Sequence, residues 1–134
     1  MELRDIIEKY HIKLLVVFGS YGTERFRPDS DIDVAYESRV NLSCNEEMQL
    51  LSDLMMYFKR DKIDLVNLAK AVPLLMYEIA CNSRPLYEEG ESYLMFKLRA
   101  SARYADTRFL REARKQWLNE QIGQDGGGVG NAGN

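Results

Sequence analysis

One stretch restricts the fold more than any other. An apolar run, Leu14-Leu15-Val16-Val17-Phe18, leads into Gly19-Ser20, and Asp31-Ile32-Asp33-Val34 follows after ten residues. The run reads as a buried strand. Its aliphatic residues suit a central position covered on both faces. Gly19 lets the backbone turn and approach a ligand closely. Ser20 offers a hydroxyl and a backbone N–H where a short helix could begin, an arrangement that favours bound phosphate. In the second strand, expected over about 31–37, Asp31 and Asp33 fall on one face and Ile32 and Val34 on the other. Two carboxylates so spaced lie roughly 6–7 Å apart along a strand. That suits shared ligation of a hard cation such as Mg²⁺, which takes oxygen ligands and usually keeps substrate phosphates in its shell.

The spacing Gly-Ser, ten residues, Asp-x-Asp resembles the signature of the polymerase-beta-type nucleotidyltransferase superfamily. The small size resembles its minimal single-domain branch, often the antitoxin half of a pair whose toxin is a helical HEPN-domain ribonuclease. The resemblance covers about residues 10–90. It is strongest over 14–36, with support from 61–68. Many members carry a second Gly four residues after the Ser. Here Glu24 stands at that position and Gly22 comes two residues earlier, which puts the phosphate contacts of the turn in question.

The rest of the chain predicts a small α/β domain. Leu3, Ile6, Ile7 and Tyr10 share one face of a helix over 2–10. Residues 19–30 read as a loop with a short helix. Arg25 and Arg27 are candidate phosphate contacts, because guanidinium matches phosphate oxygens; solvated surface charge is the competing reading. Pro28-Asp29-Ser30 marks the turn into the second strand. Ser43 and Glu46 form a capping-box pattern opening a helix to about Lys59, with Met48, Leu51, Leu54, Met55 and Phe58 along one face. A third strand follows over 62–68. Asp64 stands there among Ile63, Leu65 and Val66, where an ionised carboxylate is costly unless paired or bound to metal. The resemblance gives Asp64 the role of the third site carboxylate. Asp61 belongs to the preceding turn.

A helix over 70–82 with Pro73 in its first turn precedes a short edge strand around Arg84–Glu88, where Pro85 lacks a donor. Residues 91–122 read as one long helix free of Pro and Gly, and 123–134 as a disordered glycine-rich tail. The expected architecture is a small mixed sheet with helices mostly on one face. One domain over 1–122 would include the long helix.

Bulk properties narrow the function. At 134 residues the chain has room for one hydrophobic core. A net charge of −3 argues against a general nucleic-acid binder. The charge is divided unevenly, −6 over residues 1–96 and +5 over 97–115. The basic segment also carries Tyr104 and Phe109, with Trp117 just beyond, so a partner-docking surface competes with an ordinary amphipathic helix. No apolar run reaches the length of a membrane span, and the N-terminus lacks a secretory pattern. Two separated cysteines, Cys44 and Cys81, fit reduced thiols in the cytoplasm. A single histidine, His11, leaves too few ligands for an ordinary zinc site.

The residues therefore suggest a nucleotidyltransferase with two Mg²⁺ ions held by Asp31, Asp33 and Asp64, ATP as substrate, and Gly19 and Ser20 on the outer phosphates. The resemblance implies the acceptor: a tyrosine of a cognate HEPN toxin, which receives AMP. Two alternatives stand beside it. One is an antitoxin that masks its toxin by binding alone. The other is a small-molecule nucleotidyltransferase, for which the chain has little room for a second substrate domain.

Overall fold

The computed structural model describes residues 2–123. The glycine-rich segment expected to be disordered lies outside them from residue 124 onward. The elements run α1 (Leu3–Lys9), β1 (Ile12–Phe18), β2 (Ile32–Ser38), α2 (Cys44–Phe58), β3 (Ile63–Asn67), α3 (Pro73–Cys81), β4 (Ser83–Glu88), α4 (Ser92–Asp106) and α5 (Arg108–Ile122). The strands form one mixed sheet in the order β3-β2-β1-β4. β1 pairs antiparallel with β2 and β4, and β2 pairs parallel with β3. β4 is an edge strand, as Pro85 requires.

Helices cover both faces of the sheet rather than mostly one. β1 is apolar from Leu14 to Phe18 on both faces, so each face needs a cover. Leu15, Val17, Val34 and Tyr36 pack with Ile6 and Ile7 of α1 and Leu50 and Leu54 of α2. Leu14, Val16 and Ala35 pack on the other side with Met76 and Ile79 of α3 and Phe96 and Ala100 of α4. On α2 the buried line runs through Leu50 and Leu54, while Met48, expected on the apolar face, is exposed. The capping box is present: Ser43 Oγ accepts the Glu46 N–H at 3.2 Å, and Glu46 Oε1 accepts the Ser43 N–H at 2.8 Å. Pro73 sits in the first turn of α3.

The chain divides into two units, one ending at Ser101 and one beginning at Ala102. Within the second, the long helix expected over 91–122 is broken at Thr107 without Pro or Gly. The Thr107 backbone N–H and hydroxyl both donate to the carbonyl of Tyr104, at 3.1 and 2.7 Å. Arg111 donates to the same carbonyl at 2.7 Å. These bonds satisfy that carbonyl from outside the i→i+4 ladder. Thr107 then begins α5, its carbonyl accepting the Arg111 N–H. No residue of α5 is buried.

Candidate functional site

The site forms where β1 ends and β2 begins. Phe18 is in register with Asp33 across the antiparallel pair, and Asp33 with Asp64 across the parallel pair. Strand alternation turns Ile32 and Val34 into the core beneath α1 and α2 and leaves Asp33 on the opposite face. Asp64 shares that face, since Ile63 and Leu65 pack on the first core and Val66 on the second. The parallel register thus sets the two carboxylates side by side.

Gly19 closes the site from above. Its φ is +73°, which L residues with side chains rarely adopt. A β-carbon there would overlap a carboxylate oxygen of Asp33 and lie 3.4 Å from its Cγ. Glycine is therefore needed both for the turn and for backbone contact with the acid.

Residues 19–30 make a run of turns with no helix, contrary to the short helix expected there. The reason is local hydrogen bonding. The Thr23 N–H and hydroxyl both donate to the Ser20 carbonyl, at 2.9 and 2.6 Å. Thr23 Oγ1 also accepts the Arg25 N–H at 3.2 Å, and Ser30 Oγ accepts the Arg27 N–H at 3.0 Å. Side-chain oxygens of this kind compete with a helical ladder. An aromatic group anchors the turns to the end of α2: Tyr21 meets Phe26 and Phe58 edge-on, with centroids 5.2 and 5.7 Å apart. Arg60 lies over Phe26 and donates to the Pro28 carbonyl.

A cleft of about 630 Å³ opens beside these turns, a size suited to a small molecule or cofactor. Gly19, Tyr21, Thr23, Arg25 and Asp33 line it on one side, and Leu75, Glu78, Asn82, Ser83 and Arg84 on the other. Of the residues singled out in the sequence, Gly19, Arg25 and Asp33 reach the cleft. Ser20 is not among the lining residues; its carbonyl is taken up by Thr23 within the turn. Arg27 is exposed and is not among the lining residues. Glu78 and Arg84 were not foreseen as cleft residues. Arg84 is in register with Val17, a long-range pairing with no local sequence signal.

Electrostatics single out Asp33. Burial raises its carboxyl above the ordinary value; the neighbouring charge of Asp64, a hydrogen bond to Asp64 and the charge of Asp31 raise it further. Among the described residues, no Lys or Arg forms a salt bridge with any of these three acids. Asp64 is exposed rather than buried, so its importance rests on its register with Asp33 and not on desolvation. Among the described residues, no three acidic, His or Cys side chains are drawn together closely enough to hold a metal ion as they stand. The donor set nonetheless suits a hard cation: all-oxygen, uncompensated, and open on one side to further oxygen ligands.

Comparison with known proteins gives a consistent family and fold. The profile of the family described as "Polymerase beta, Nucleotidyltransferase" matches residues 1–92. No curated protein matches the chain. Several solved structures are similar in fold, among them the three that follow. A chain of a toxin–antitoxin complex with AMP-PNP is 20% identical, with a TM-score of 0.75, covering 87% of this chain and 94% of that one. A chain of the complex of a tri-AMPylated HEPN toxin with its MNT antitoxin, from Shewanella oneidensis, is 24% identical with a TM-score of 0.69, covering 87% and 88%. A chain of the MntA–HepT toxin–antitoxin complex is 19% identical with a TM-score of 0.68, covering 87% and 92%.

Proposed function

Because this chain belongs to the polymerase beta nucleotidyltransferase family, we propose that it is a Mg²⁺-dependent antitoxin that transfers AMP from ATP to a tyrosine of a HEPN-domain toxin. The observation that carries the reading is the Phe18–Asp33–Asp64 register beneath Gly19. It joins paired carboxylates to a tight backbone turn at one end of a nucleotide-sized cleft. The similar folds occur in complexes named for AMP-PNP and for an AMPylated HEPN toxin, which supports the choice of nucleotide and partner.

In this reading Asp31, Asp33 and Asp64 would hold the metal ions that bind the triphosphate. When bound, a metal pair of this kind stabilises both the attacking and the leaving oxygens of an in-line displacement. The chain's own groups do the rest. Gly19 and Ser20 place backbone against the outer phosphates. Arg25 contributes a cation at the cleft wall. Arg27 acts only if the turn carries it inward. The acceptor oxygen bonds to the α-phosphorus as the bond from that phosphorus to the bridging oxygen breaks. Pyrophosphate departs, and Asp64, exposed beside Asp33, receives the acceptor proton.

The second unit suits partner binding. On α5, Phe109 and Trp117 are 80% and 56% exposed, and Leu110, Arg114, Trp117 and Leu118 follow one helical stripe. Exposed aromatics beside cations are the composition of an interface. No helix among the described residues is long and apolar enough to cross a membrane, and the proposed setting is the cytoplasm.

Labelled ATP tests the reading. Label on the α-phosphate should become attached to the toxin in the presence of Mg²⁺, and label on the γ-phosphate should not. Transfer of the γ-label would replace nucleotidyl transfer with phosphorylation.

A further inference from the structure

Arg84 stands apart from the residues the sequence singles out, and three observations converge on it. It lines the cleft together with Gly19 and Asp33. Its Nη2 donates to the carbonyl of Tyr21 at 2.5 Å, bridging 63 residues of sequence from the edge strand to the turn. The guanidinium also lies directly over Gly22, where a β-carbon would overlap Nη2 and fall 2.7 Å from Cζ. Gly22 has a φ of +78°, so the turn is left-handed at the point where the guanidinium covers it. Neither Arg84 nor Arg25 forms a salt bridge among the described residues.

The strand beneath is well fixed. Val17 pairs with Arg84 and Phe18 with Ser83. The Ser83 carbonyl accepts the Tyr93 hydroxyl at 2.9 Å, tying the start of β4 to α4. The guanidinium therefore projects from a rigid base onto a turn that lacks secondary structure of its own. One N–H is used on Tyr21. Arginine carries five such donors in a planar fork, and among the described residues no other hydrogen bond from the Arg84 guanidinium is made while the residue lines the cleft.

We propose that Arg84 is a second anion-binding element of the site, which clamps the 19–22 turn through Tyr21 and presents its free N–H groups to the triphosphate, with Gly22 as its required complement. Within the turn the left-handed positions are Gly19 and Gly22, and the second of them accommodates an arginine. The assignment rests on the proposed nucleotide substrate, yet the clamp itself can be read without catalysis. Lysine would not reproduce it, because a point-charge ammonium cannot serve the carbonyl and a phosphate in one planar fork.

The test compares wild type, Arg84→Met, Arg84→Lys and Gly22→Ala. Calorimetry with Mg-ATP, and separately with inorganic tripolyphosphate, should show at least tenfold weaker binding for Arg84→Met, with Arg84→Lys intermediate. Limited trypsin digestion reads the clamp directly, through cleavage after Arg25 in the turn, because Pro28 blocks cleavage after Arg27. Arg84→Met should be cut several times faster than wild type at unchanged melting temperature; Gly22→Ala, strained by its φ of +78°, should melt lower and also be cut faster, and the double variant should be cut no faster than Gly22→Ala alone. Wild type that binds both ligands while Arg84→Met binds them equally overturns the Arg84 assignment and leaves the nucleotide reading intact. Wild type that binds neither ligand overturns both. Binding lost with unchanged digestion overturns the clamp and keeps only an anion contact.

Discussion

Gly19 and Asp33 meet so closely that the turn after β1 and the first residues of β2 behave as one piece. The glycine has no side chain because the carboxylate occupies its place. Gly19→Ala therefore faces both a positive φ of +73° and a clash with the acid. It should destabilise the fold by about 1–3 kcal/mol, measured by urea denaturation, and should reduce transfer at least a hundredfold. The paired variant Gly19→Ala, Asp33→Ala should recover part of the stability and none of the activity.

Asp33 should oppose folding in the free protein. Burial and its acidic neighbours raise its pKa, so the ionised form is disfavoured in the fold. Its contribution to stability is fully present below the ordinary carboxylate value of 3.8 and is lost as pH rises through the higher folded value. Asp33→Asn should thus raise the melting temperature at neutral pH while abolishing transfer. A melting temperature that falls would contradict the electrostatic account. The acid limb of Mg-ATP binding should also move to lower pH as Mg²⁺ is increased, because the cation competes with the proton.

A pH response of opposite sign belongs to Asp53, on the far side of the sheet. Burial pushes its carboxyl up, but hydrogen bonds from Tyr10 and Lys9 outweigh burial and hold it below the ordinary value. Asp53 Oδ2 accepts the Tyr10 hydroxyl at 2.5 Å and Lys9 Nζ at 3.0 Å, joining α1 to α2. This stability is present above pH 3.8 and is lost as pH falls through the lower folded value. Asp53→Ala strands the buried Tyr10 hydroxyl and should cost about 1–3 kcal/mol at pH 7. The difference from wild type should shrink in acid, as followed by thermal melts across pH.

Partner capture should depend on the exposed stripe of α5 more than on all its arginines equally. Arg111 is already engaged with Tyr104, through its carbonyl and its ring, and Arg108 pairs with Glu112 at 3.3 Å. Trp117→Ala should weaken toxin binding by about 2 kcal/mol or more, as buried interface aromatics do, and Arg114→Glu should mainly slow association and steepen its salt dependence. Surface plasmon resonance separates the two effects. Normal capture by the Trp117→Ala, Phe109→Ala double variant would leave α5 without this role.

Local pattern made most of the fold legible. Period-two alternation placed Asp33 opposite Ile32 and Val34, and the Ser43–Glu46 box set the start of α2. Pairing across the sheet was not legible. Nothing near Arg84 in sequence announces Val17 or Tyr21, so a cleft residue looked like part of an edge strand. Asp64 was singled out for burial, yet it is exposed; the parallel register beside Asp33 is what distinguishes it. Thr107 broke the final helix through bonds to Tyr104, where composition alone favours continuity. The turns at 19–30 likewise reflect Thr23 and Ser30 side-chain bonds competing with a helix.

The most direct test of the central claim is the intact mass of the toxin after incubation with this protein, ATP and Mg²⁺. The account predicts added multiples of about 329 Da, an AMP residue left when pyrophosphate departs, on tyrosine, and only with an intact Asp33. Asp64→Asn should keep much of the ATP binding and add no mass. Full neutralisation of the toxin by the Asp31→Ala, Asp33→Ala variant, with no change in toxin mass, would contradict the account and leave masking by binding as the mechanism.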